Sequence, residues 1–508
     1  MARLIHTTLE LSGELLALSP IHVGGAAAGP VVDMPMAVDG KGRYYIPGTS
    51  LAGALRHWVE RHLDGPDWGI FWGSHEKEGS ASLIVINDAP ATESGHSAPP
   101  ELWHSVSIDR QTGTAADKLK FDREVLPRGS RFVFRMQVEA RDQAELDTAR
   151  AFLGRLQEAL QNGRISFGAA ATRGLGRMQL ANAKGRETSW ATKKGVLDFL
   201  RGAHDDTLAA WQQARHELAV ANRGQIDITL HWHPGGPLMS KAATDGLAVD
   251  GMPFVSAVAD GKQALTLPGS GIKGALRSHA ERILRTIFQH DVAQDSGNHT
   301  HRDQLDLPLI SAVFGSAGNA ASKGNTGNRG ALSVATCYAT DQHFDAKHWN
   351  DLALNDGAWP KSGLSLQRAY HVAVDRWTGG AADGFLYSAV EPMKVAWEPL
   401  RISLQLGEKN VDCLLRFAIV WLLLRELAAG RITLGFGANR GYGEVVVDKI
   451  VLDGVPLASH VGHVELDARL ATGDQAFGEW LSDCNTAWKS WVGNIEQQLN
   501  CEETQNEQ

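Results

Sequence analysis

The chain has 508 residues, of which 43% are hydrophobic and 21% are charged, and its formal net charge is −9. This length accommodates two or three ordinary domains, and the apolar content excludes a disordered chain. The four cysteines, Cys337, Cys413, Cys484 and Cys501, form no close pair in the sequence. Their spacing argues against a disulfide scaffold and against a cysteine-based zinc site.

The charge is unevenly distributed along the chain. Residues 461–508 carry a net charge of −7, so the first 460 residues carry only −2 and leave room for a local basic groove. The N-terminal segment lacks a basic start followed by an apolar block, and the most apolar stretch, 417–424, is far too short for a membrane span. We therefore expect a soluble, cytoplasmic protein without a signal peptide.

Five sequence blocks occur twice in the same order, which indicates a tandem duplication. The offset between the copies is 221 at the third block and 266 at the fourth, so the second copy carries about 45 extra residues around 286–372. The blocks are IHVGG (21–25) and WHPGG (232–236), GPVVD (29–33) and GLAVD (246–250), IPGTSLAGALRHWVER (46–61) and LPGSGIKGALRSHAER (267–282), SIDRQTGTAAD (107–117) and AVDRWTGGAAD (373–383), and GRISFGAAATRGLGRMQL (163–180) and GRITLGFGANRGYGEVVV (430–447).

The hydrophobic pattern predicts the same order of elements in each copy: strand, helix, strand, insertion, strand, helix, strand. This β-α-β-β-α-β order predicts an α+β fold of two tandem ferredoxin-like, or RRM-like, domains, each with an inserted hairpin. In the first copy we expect strands at 6–18, 81–89, 130–140 and 175–181, and helices at 49–63 and 144–160. In the second copy the second helix, 411–430, is the more apolar one and is expected to be more deeply buried.

The repeats also predict the domain limits. We place the first domain at 1–185 and the second at 223–455, with the insertion at about 286–372. Apolar residues at helical spacing predict a helical linker at 186–222 and an acidic helical extension at 456–508.

A Pro-Gly turn opens the first helix of each copy, with Thr49 or Ser50 as the expected cap in the first copy. The free N–H groups and positive dipole at a helix start suit a phosphate, and Arg56 and Arg277 lie about two helical turns further on. The alternative is that the glycines only allow the helix to pack closely on the sheet.

A glycine-rich loop with a central arginine enters the last strand of each copy. Glycine lets a backbone approach a ligand, and arginine offers a fork of donors to phosphate, so the duplicated loop predicts a polyanion site. The order of helix and strand excludes a dinucleotide-binding fingerprint. The residues are Gly168, Arg173, Gly174 and Gly176, and Gly435, Arg440, Gly441 and Gly443.

The Asp-Arg-x-Thr-Gly blocks in the insertions, Asp109–Asp117 and Asp375–Asp383, fit two interpretations. Aspartate, threonine and glycine are ordinary turn residues. The close similarity of the two copies instead favours a protruding hairpin that inserts into an extended strand.

Asp33 and Asp250 each end a Gly-x-x-Val-Asp segment, where an aspartate is either a turn residue or a functional carboxylate. His22 and His233 are candidate bases or metal ligands, although packing roles are the favoured interpretation.

The insertion of the second copy contains a candidate zinc site. His290, His299 and His301 have a spacing that could hold the ion, but three histidines without cysteine form an incomplete ligand set.

Together these blocks resemble the RAMP superfamily and, more narrowly, the backbone subunit of type III CRISPR effector complexes. The chain resembles two such subunits fused in tandem, as in type III-D-like variants. The resemblance covers about 1–180 and 223–455. It implies an RRM-like palm with a protruding thumb hairpin, and a filament of palms along a guide RNA. The implied partners are the guide RNA, a complementary target RNA, and other RAMP and large subunits of the complex.

The resemblance also implies roles for single residues. Arg110 and Arg376 belong to the thumbs, which kink the guide–target duplex. The family's usual lysine in the helix motif is Ala52 in the first copy and Lys273 in the second. The RNA-binding set so predicted is Gly48, Ser50, Arg56, Gly269, Lys273, Arg277, Arg110, Arg376, Arg173, Gly174, Arg440 and Gly441.

In the family a single loop aspartate drives metal-dependent cleavage of the target RNA. Asp33 matches that position, and Asp250 matches it less securely because its loop is four residues longer before the Pro-Gly turn. We therefore expect an endoribonuclease that acts within a guide-loaded complex, with Mg²⁺ or Mn²⁺ held transiently by Asp33 and Asp250. The reaction is attack by the RNA's own 2′-hydroxyl, with one cut per copy.

Three alternatives remain open from the sequence. The chain could be a non-catalytic guide-binding scaffold. It could process guide precursors with His22 as its base, or it could be a duplicated ferredoxin-like scaffold that binds small anions.

Overall fold

The chain folds into two compact units, seen in a computed structural model. The first unit comprises residues 1–103, 122–171 and 175–222, and the second comprises residues 104–121, 172–174 and 223–508. The predicted domain limits at 185 and 223 stay a prediction. The structure describes residues 4–25, 32–65, 68–74, 79–92, 99–202, 206–221, 224–243, 246–258, 261–289, 301, 303–305, 307–318, 327–355, 365–407, 410–457 and 461–506.

The strands and helices predicted for the first repeat are present, with changes at their ends. The strand predicted at 81–89 is divided into two shorter strands, and the strand predicted at 175–181 continues to Ser189. The elements are β1 (Thr7–Ala17), β2 (Tyr45–Ile46), α1 (Gly48–His62), α2 (Gly69–Trp72), β3 (Ile84–Ile86), β4 (Ala89–Pro90), β5 (Glu101–Ile108), β6 (Ala115–Val125), β7 (Arg131–Ala140), α3 (Gln143–Gln161), β8 (Ile165–Ser166), β9 (Arg177–Ser189), α4 (Lys193–Arg201) and α5 (Leu208–Ala214).

The main sheet of the first unit has the order β3-β7-β1-β9-β8. β1 pairs antiparallel with both β7 and β9, and β3 pairs antiparallel with β7, which is the order expected for a β-α-β-β-α-β chain. Alternate residues of β1, such as Leu9 and Leu11, point into the core. Leu51, Leu55 and Val59 recur every fourth residue along α1 and cover that core.

The second repeat has the same succession, with additional elements in its insertion. They are β10 (Gln225–Pro234), β11 (Val255–Ala257), β12 (Lys262–Leu267), α6 (Gly269–Phe288), α7 (Ile310–Phe314), β13 (Ser316–Ala317), β14 (Gly327–Asn328), β15 (Leu332–Val334), β16 (Cys337–Asp345), α8 (Ala346–Leu354), β17 (Leu366–Val374), β18 (Ala381–Pro392), β19 (Leu400–Gln405), α9 (Val411–Ala428), β20 (Val445–Pro456), β21 (Val461–Asp467) and α10 (Gln475–Asn506).

The main sheet of the second unit has the order β15-β19-β10-β20-β21, which repeats the first sheet's order and differs only in its edge strand. α9 is apolar on most of its surface because a helix covers it on the side away from the sheet. Phe417 and Trp421 of α9 contact Phe477 and Trp480 of α10, with ring centroids of Phe417 and Trp480 4.3 Å apart. The prediction that this helix is more deeply buried than its counterpart was wrong, because 9 of the 18 residues of α9 are buried and so are 10 of the 19 residues of α3.

Two predictions of helix need correction. The segment expected to be a helical linker from residue 186 begins with the end of β9, and its helices, α4 and α5, follow. The segment expected to be a helical extension from residue 456 contains β21, which pairs antiparallel with β20. In both cases the amphipathic pattern lies further along the chain, at 197–220 and 477–499, where α4, α5 and α10 do form, and the predicted helical segment began too early.

A hairpin is inserted in each repeat, as predicted: the first hairpin is β5–β6 and the second hairpin is β17–β18. The tip of the first hairpin, within residues 104–121, packs inside the second unit. There Nε of Arg110 donates to Oε2 of Glu281 on α6 at 2.6 Å, and the side chain of Gln304 bonds both the N–H of Arg110 and the carboxylate of Asp109.

Glu281 is 2% exposed and binds two arginines. Besides Arg110, it accepts from Nε of Arg277 at 2.7 Å. The equivalent pair of the first repeat, Arg56 and Glu60, has the same 2.7 Å distance but is 44% and 47% exposed. Since buried ion pairs and exposed ones differ widely in their effect on stability, these matched pairs can be compared directly.

Replacing Glu281 with alanine is expected to lower the free energy of unfolding of the second unit by about 3–5 kcal/mol, because it leaves two partly buried guanidinium groups without a carboxylate. Glu60→Ala removes an exposed pair and should cost about 0.5 kcal/mol or less. Urea unfolding, with hydrogen exchange in α6 and α1 as the local readout, measures both. Equal effects of the two variants would contradict a stabilising role for the Glu281 network.

Candidate nucleic-acid interface

The loop that carries Asp33 runs beside the end of β6. The N–H of Asp33 donates to Oδ1 of Asp122 at 2.7 Å, and the N–H of Asp122 donates to Oδ2 of Asp33 at 2.9 Å. The N–H of Glu124 donates to the carbonyl of Met34 at 3.0 Å. Asp33 is exposed. These bonds fix the loop and present its carboxylate at the surface.

Asp250 is held in the same manner against β18. The N–H of Ser388 donates to Oδ2 of Asp250 at 2.8 Å, and the hydroxyl of Ser388 donates to the same oxygen at 3.1 Å. The neighbouring Gly251 bonds the carbonyl of Ser388 and accepts from the N–H of Val390. The bonds from Ser388, the backbone one above all, lower the pKa of Asp250 below its ordinary value. The exposed carboxylate is therefore ionised at neutral pH.

The two aspartates occupy equivalent positions in the fold. Ser388 follows Asp122 at the offset of 266 that relates the two hairpin blocks, so each aspartate is bonded to the same place on its hairpin. The four extra residues follow Asp250, where the second repeat has the β11–β12 hairpin. The repeats differ in the partner, which is a second carboxylate in the first repeat and a hydroxyl in the second.

The start of α1 is occupied by the protein itself. Pro47 is the N-cap residue, and neither Thr49 nor Ser50 caps the helix, so that prediction was wrong. The N–H of Gly48 donates to Oδ1 of Asp88 at 2.7 Å. The carboxylate of Asp88 thus takes the position predicted for a phosphate.

The start of α6 is also occupied by the protein. The N–H of Gly269 donates to Oγ1 of Thr336 at 3.3 Å, and that hydroxyl donates to the carbonyl of Gly174 at 3.1 Å. A Cβ atom on Gly269 would lie 2.4 Å from the carbonyl oxygen of Val334. Close packing, the alternative interpretation of these glycines, accounts for Gly269.

Lys273 departs most clearly from the predicted phosphate ligands. Its side chain is buried, and Nζ donates to the carbonyl of Leu332 at 2.7 Å. Burial, together with the positive charges of Arg173, Arg277 and Arg329, lowers the pKa of Lys273 to about 7. The amine of Lys273 thus points into the unit, towards the carbonyl of Leu332, and its charged neighbours are cations.

The two hairpin tips share a turn but differ in their arginines. Asp109 and Asp375 each accept the N–H groups of the residues two and three positions later, so the aspartate has a turn role in both copies. Arg110 is bonded to Glu281, whereas Arg376 is exposed and the next residue, Trp377, is 97% exposed. The second tip therefore offers a cation and an aromatic ring to a ligand.

In each glycine-rich loop, at least one glycine is required by the local backbone conformation. Gly168 and Gly435 have φ of 82° and 84°, and a Cβ atom on either would lie 2.2 Å from a carbonyl oxygen of the same unit. The arginines of both loops, Arg173 and Arg440, are exposed residues. Nothing lies within 4 Å of the Cβ position on Gly441, so this loop is open to a ligand in the second repeat.

The two candidate histidines have different surroundings. His22 is 3% exposed and its Nδ1 lies 2.7 Å from the carbonyl of Glu124, and burial lowers its pKa. His233 is exposed and its Nδ1 lies 3.0 Å from Asp448. Packing accounts for His22.

One of the three candidate zinc ligands lies among the described residues. His290 and His299 lie outside the described residues, whereas His301 is described. Among the residues whose positions are given, no group of three or more His, Cys, Asp or Glu side chains could hold a metal ion.

Residues 14–179 and 254–446, one segment in each repeat, match the RAMP superfamily. The chain belongs to this superfamily. RAMP proteins work in CRISPR complexes with RNA and with other protein subunits. No curated protein matches this RAMP chain. In its described part, no helix is both long enough and apolar enough to cross a membrane.

Sequence reasoning missed three residues that shape this RAMP site: Asp122, Glu281 and Ser388. The repeat contained a signal for two of them, because Asp122 and Ser388 occupy equivalent positions, 266 residues apart, in the two copies. Their hydrogen bonds to the aspartate loops could not be inferred, because the partners lie about 90 and 140 residues apart in the chain.

Ser388→Ala is expected to raise the pKa of Asp250 while leaving it below the ordinary value near 3.9, because the variant removes the hydroxyl and keeps the backbone N–H. Titration of aspartate-labelled protein by carboxyl-carbon NMR measures the shift, with Asp250→Asn assigning the signal. An unchanged midpoint would contradict the contribution of the hydroxyl. The pKa of Asp250 is lower in the folded protein than in the unfolded chain, so the bonds from Ser388 to the ionised carboxylate stabilise the fold at neutral pH. This contribution is lost as the pH falls through the folded pKa.

Proposed function

We propose that this chain is a guide-RNA-binding backbone subunit of a type III CRISPR ribonucleoprotein, of a type III-D-like fusion, and that it cleaves complementary target RNA. The observation that supports the proposal best is the repeated placement of an exposed loop aspartate against a hairpin strand in the two RAMP repeats. Two equivalent carboxylates, one per repeat, favour two cleavage positions on one target strand.

The surroundings of each aspartate fit a divalent cation. Mg²⁺ is commonly held by one or two carboxylates together with phosphate oxygens and water. Asp33 with Asp122 would supply two carboxylates in the first repeat, and Asp250 would supply one in the second. The bonds from Ser388 end on Oδ2 of Asp250 and leave Oδ1 for a ligand. Once bound, Mg²⁺ would stabilise negative charge on the phosphate and on the leaving oxygen.

The chain's own contribution is to position the RNA and to move a proton. A hairpin inserted beside the target strand would turn one nucleotide so that its 2′-oxygen lies in line with the adjacent phosphorus. A loop carboxylate that does not hold the cation would accept the 2′-hydroxyl proton as the O–P bond forms and the bond to the 5′-oxygen breaks. The products are a 2′,3′-cyclic phosphate end and a 5′-hydroxyl end, the latter protonated from solvent.

The cleavage proposal is tested by mapping the cuts in an end-labelled target RNA with the guide-loaded complex and Mg²⁺. Asp33→Asn and Asp250→Asn should each reduce one distinct cut by about a hundredfold or more, and the double variant should reduce both. Glu60→Gln, an exposed acid elsewhere on the first repeat, is the control and should leave both cuts unchanged.

Two outcomes would contradict the proposal. If the double variant still cuts at both positions while the RNA stays bound, the subunit is a scaffold and another component cuts. If Asp33→Asn abolishes both cuts, the sites are not independent.

A role in processing guide precursors is less well supported. It requires a histidine that can reach RNA, and His22 is buried with Nδ1 against a backbone carbonyl.

RNA binding is expected to depend on salt through the exposed arginines. Arg376→Gln should reduce the slope of log affinity against log salt by about 1, because one phosphate contact is lost. Arg110→Gln is the matched control at the equivalent tip, and it should leave the slope unchanged because Arg110 is bonded to Glu281. Filter binding of a fixed guide RNA at salt concentrations from about 50 to about 300 mM, a range over which phosphate contacts change the affinity strongly, measures both slopes. A slope that changes equally in the two variants would contradict the assignment of Arg376.

A further inference from the structure

The face of the second hairpin that holds Asp250 carries an exposed aromatic ring. Tyr370 on β17 lies directly opposite Ser388 on β18 in the ladder, and Ser388 is the residue that bonds Asp250. Residues opposite each other in this way have Cβ atoms about 5 Å apart. Tyr370 is 62% exposed, so its ring stands in solvent next to the proposed cleavage loop.

An arginine joins this ring to the aspartate loop. The guanidinium carbon of Arg368 lies 4.9 Å from the ring centroid of Tyr370, and its Nη2 donates to the carbonyl of Ala248 at 2.5 Å. Ala248 is two residues before Asp250. The arginine therefore has a fixed position between the ring and the loop, and it adds a positive charge to the aromatic surface.

The same face continues with apolar side chains. Val372 and Leu386, the next pair on this face of the ladder, are 48% and 66% exposed. A contiguous group of exposed tyrosine, valine and leucine marks a contact surface. An exposed aromatic ring and an adjacent guanidinium suit a flat ligand that bears negative charge.

We propose that Tyr370 is a stacking platform for one unpaired base of the target RNA, next to the phosphate on which Asp250 acts. The proposal rests on the cleavage function proposed above and adds how the nucleotide is held. Base stacking on tyrosine tolerates any sequence because each base has a π-face, and Arg368 stands where it can contact the neighbouring phosphate. A sequence-tolerant contact of this kind suits a guide-directed enzyme, since its target sequence is not fixed.

The tyrosine–arginine pair is absent from the equivalent positions of the first repeat. The positions 266 residues earlier hold His104 and Leu102 in place of Tyr370 and Arg368. The two proposed cleavage sites therefore differ in how they hold the nucleotide, and a variant of Tyr370 should affect only one of them.

The test uses the guide-loaded complex of the full chain and target RNAs in which 2-aminopurine replaces one nucleotide beside the second cut. Stacking on Tyr370 quenches the fluorescence of one such probe in the wild type. Tyr370→Leu, which keeps an apolar side chain, should abolish this quenching and slow the second cut about tenfold, with the first cut unchanged. Tyr370→Phe keeps the ring and should restore both, and His104→Leu is the matched control in the first repeat.

The same measurements in an Asp250→Asn background separate this proposal from the cleavage proposal. Quenching that depends on Tyr370 there supports the platform even if Asp250 is not catalytic. The platform is wrong if Tyr370→Leu leaves quenching and both cuts unchanged, or if it slows both cuts equally. It is also wrong if Tyr370→Leu releases another protein subunit in native mass spectrometry while quenching persists, since the face would then be a protein contact.

Discussion

The loop aspartates are held by the strand that returns from each hairpin, through hydrogen bonds that run in both directions. Asp33 and Asp122 exchange backbone and side-chain bonds in the first repeat, and Asp250 and Ser388 do so in the second. A loop residue without such bonds would sample many positions. The bonds fix each carboxylate relative to the hairpin that would position the RNA, and the proposed chemistry depends on that fixed relation.

Duplication has given equivalent residues different surroundings. Arg56 and Glu60 form an exposed pair within one helix, whereas Arg277 and Glu281 form the same pair under the tip of the first hairpin. Arg110 joins the buried pair and Arg376 stays exposed. The environment rather than the residue type decides whether an arginine stabilises the fold or is available to RNA, because burial makes its charge costly unless a carboxylate neutralises it.

The second repeat has the richer candidate surface for RNA. Its hairpin exposes Tyr370 and Trp377, its glycine-rich loop is open at Gly441, and Arg440 lies 5.5 Å from the ring of Tyr387. Aromatic rings beside arginines are the groups on which unpaired bases stack. Trp377, Arg440 and Gly441 lie in repeated blocks that were singled out in the sequence. Tyr370 and Tyr387 lie outside those blocks, and only the structure shows that they belong to this surface.

The sequence by itself determined the duplication, the order of the strands and helices, the two hairpins and the position of Asp33, since repeats and hydrophobic periodicity are local properties of the chain. Only the tertiary structure decided which basic residues reach solvent. Lys273 points to a carbonyl, and Arg110 bonds a residue 171 positions away. Such contacts arise where elements distant in sequence pack together, and no local pattern records whether a charged side chain is covered or exposed there.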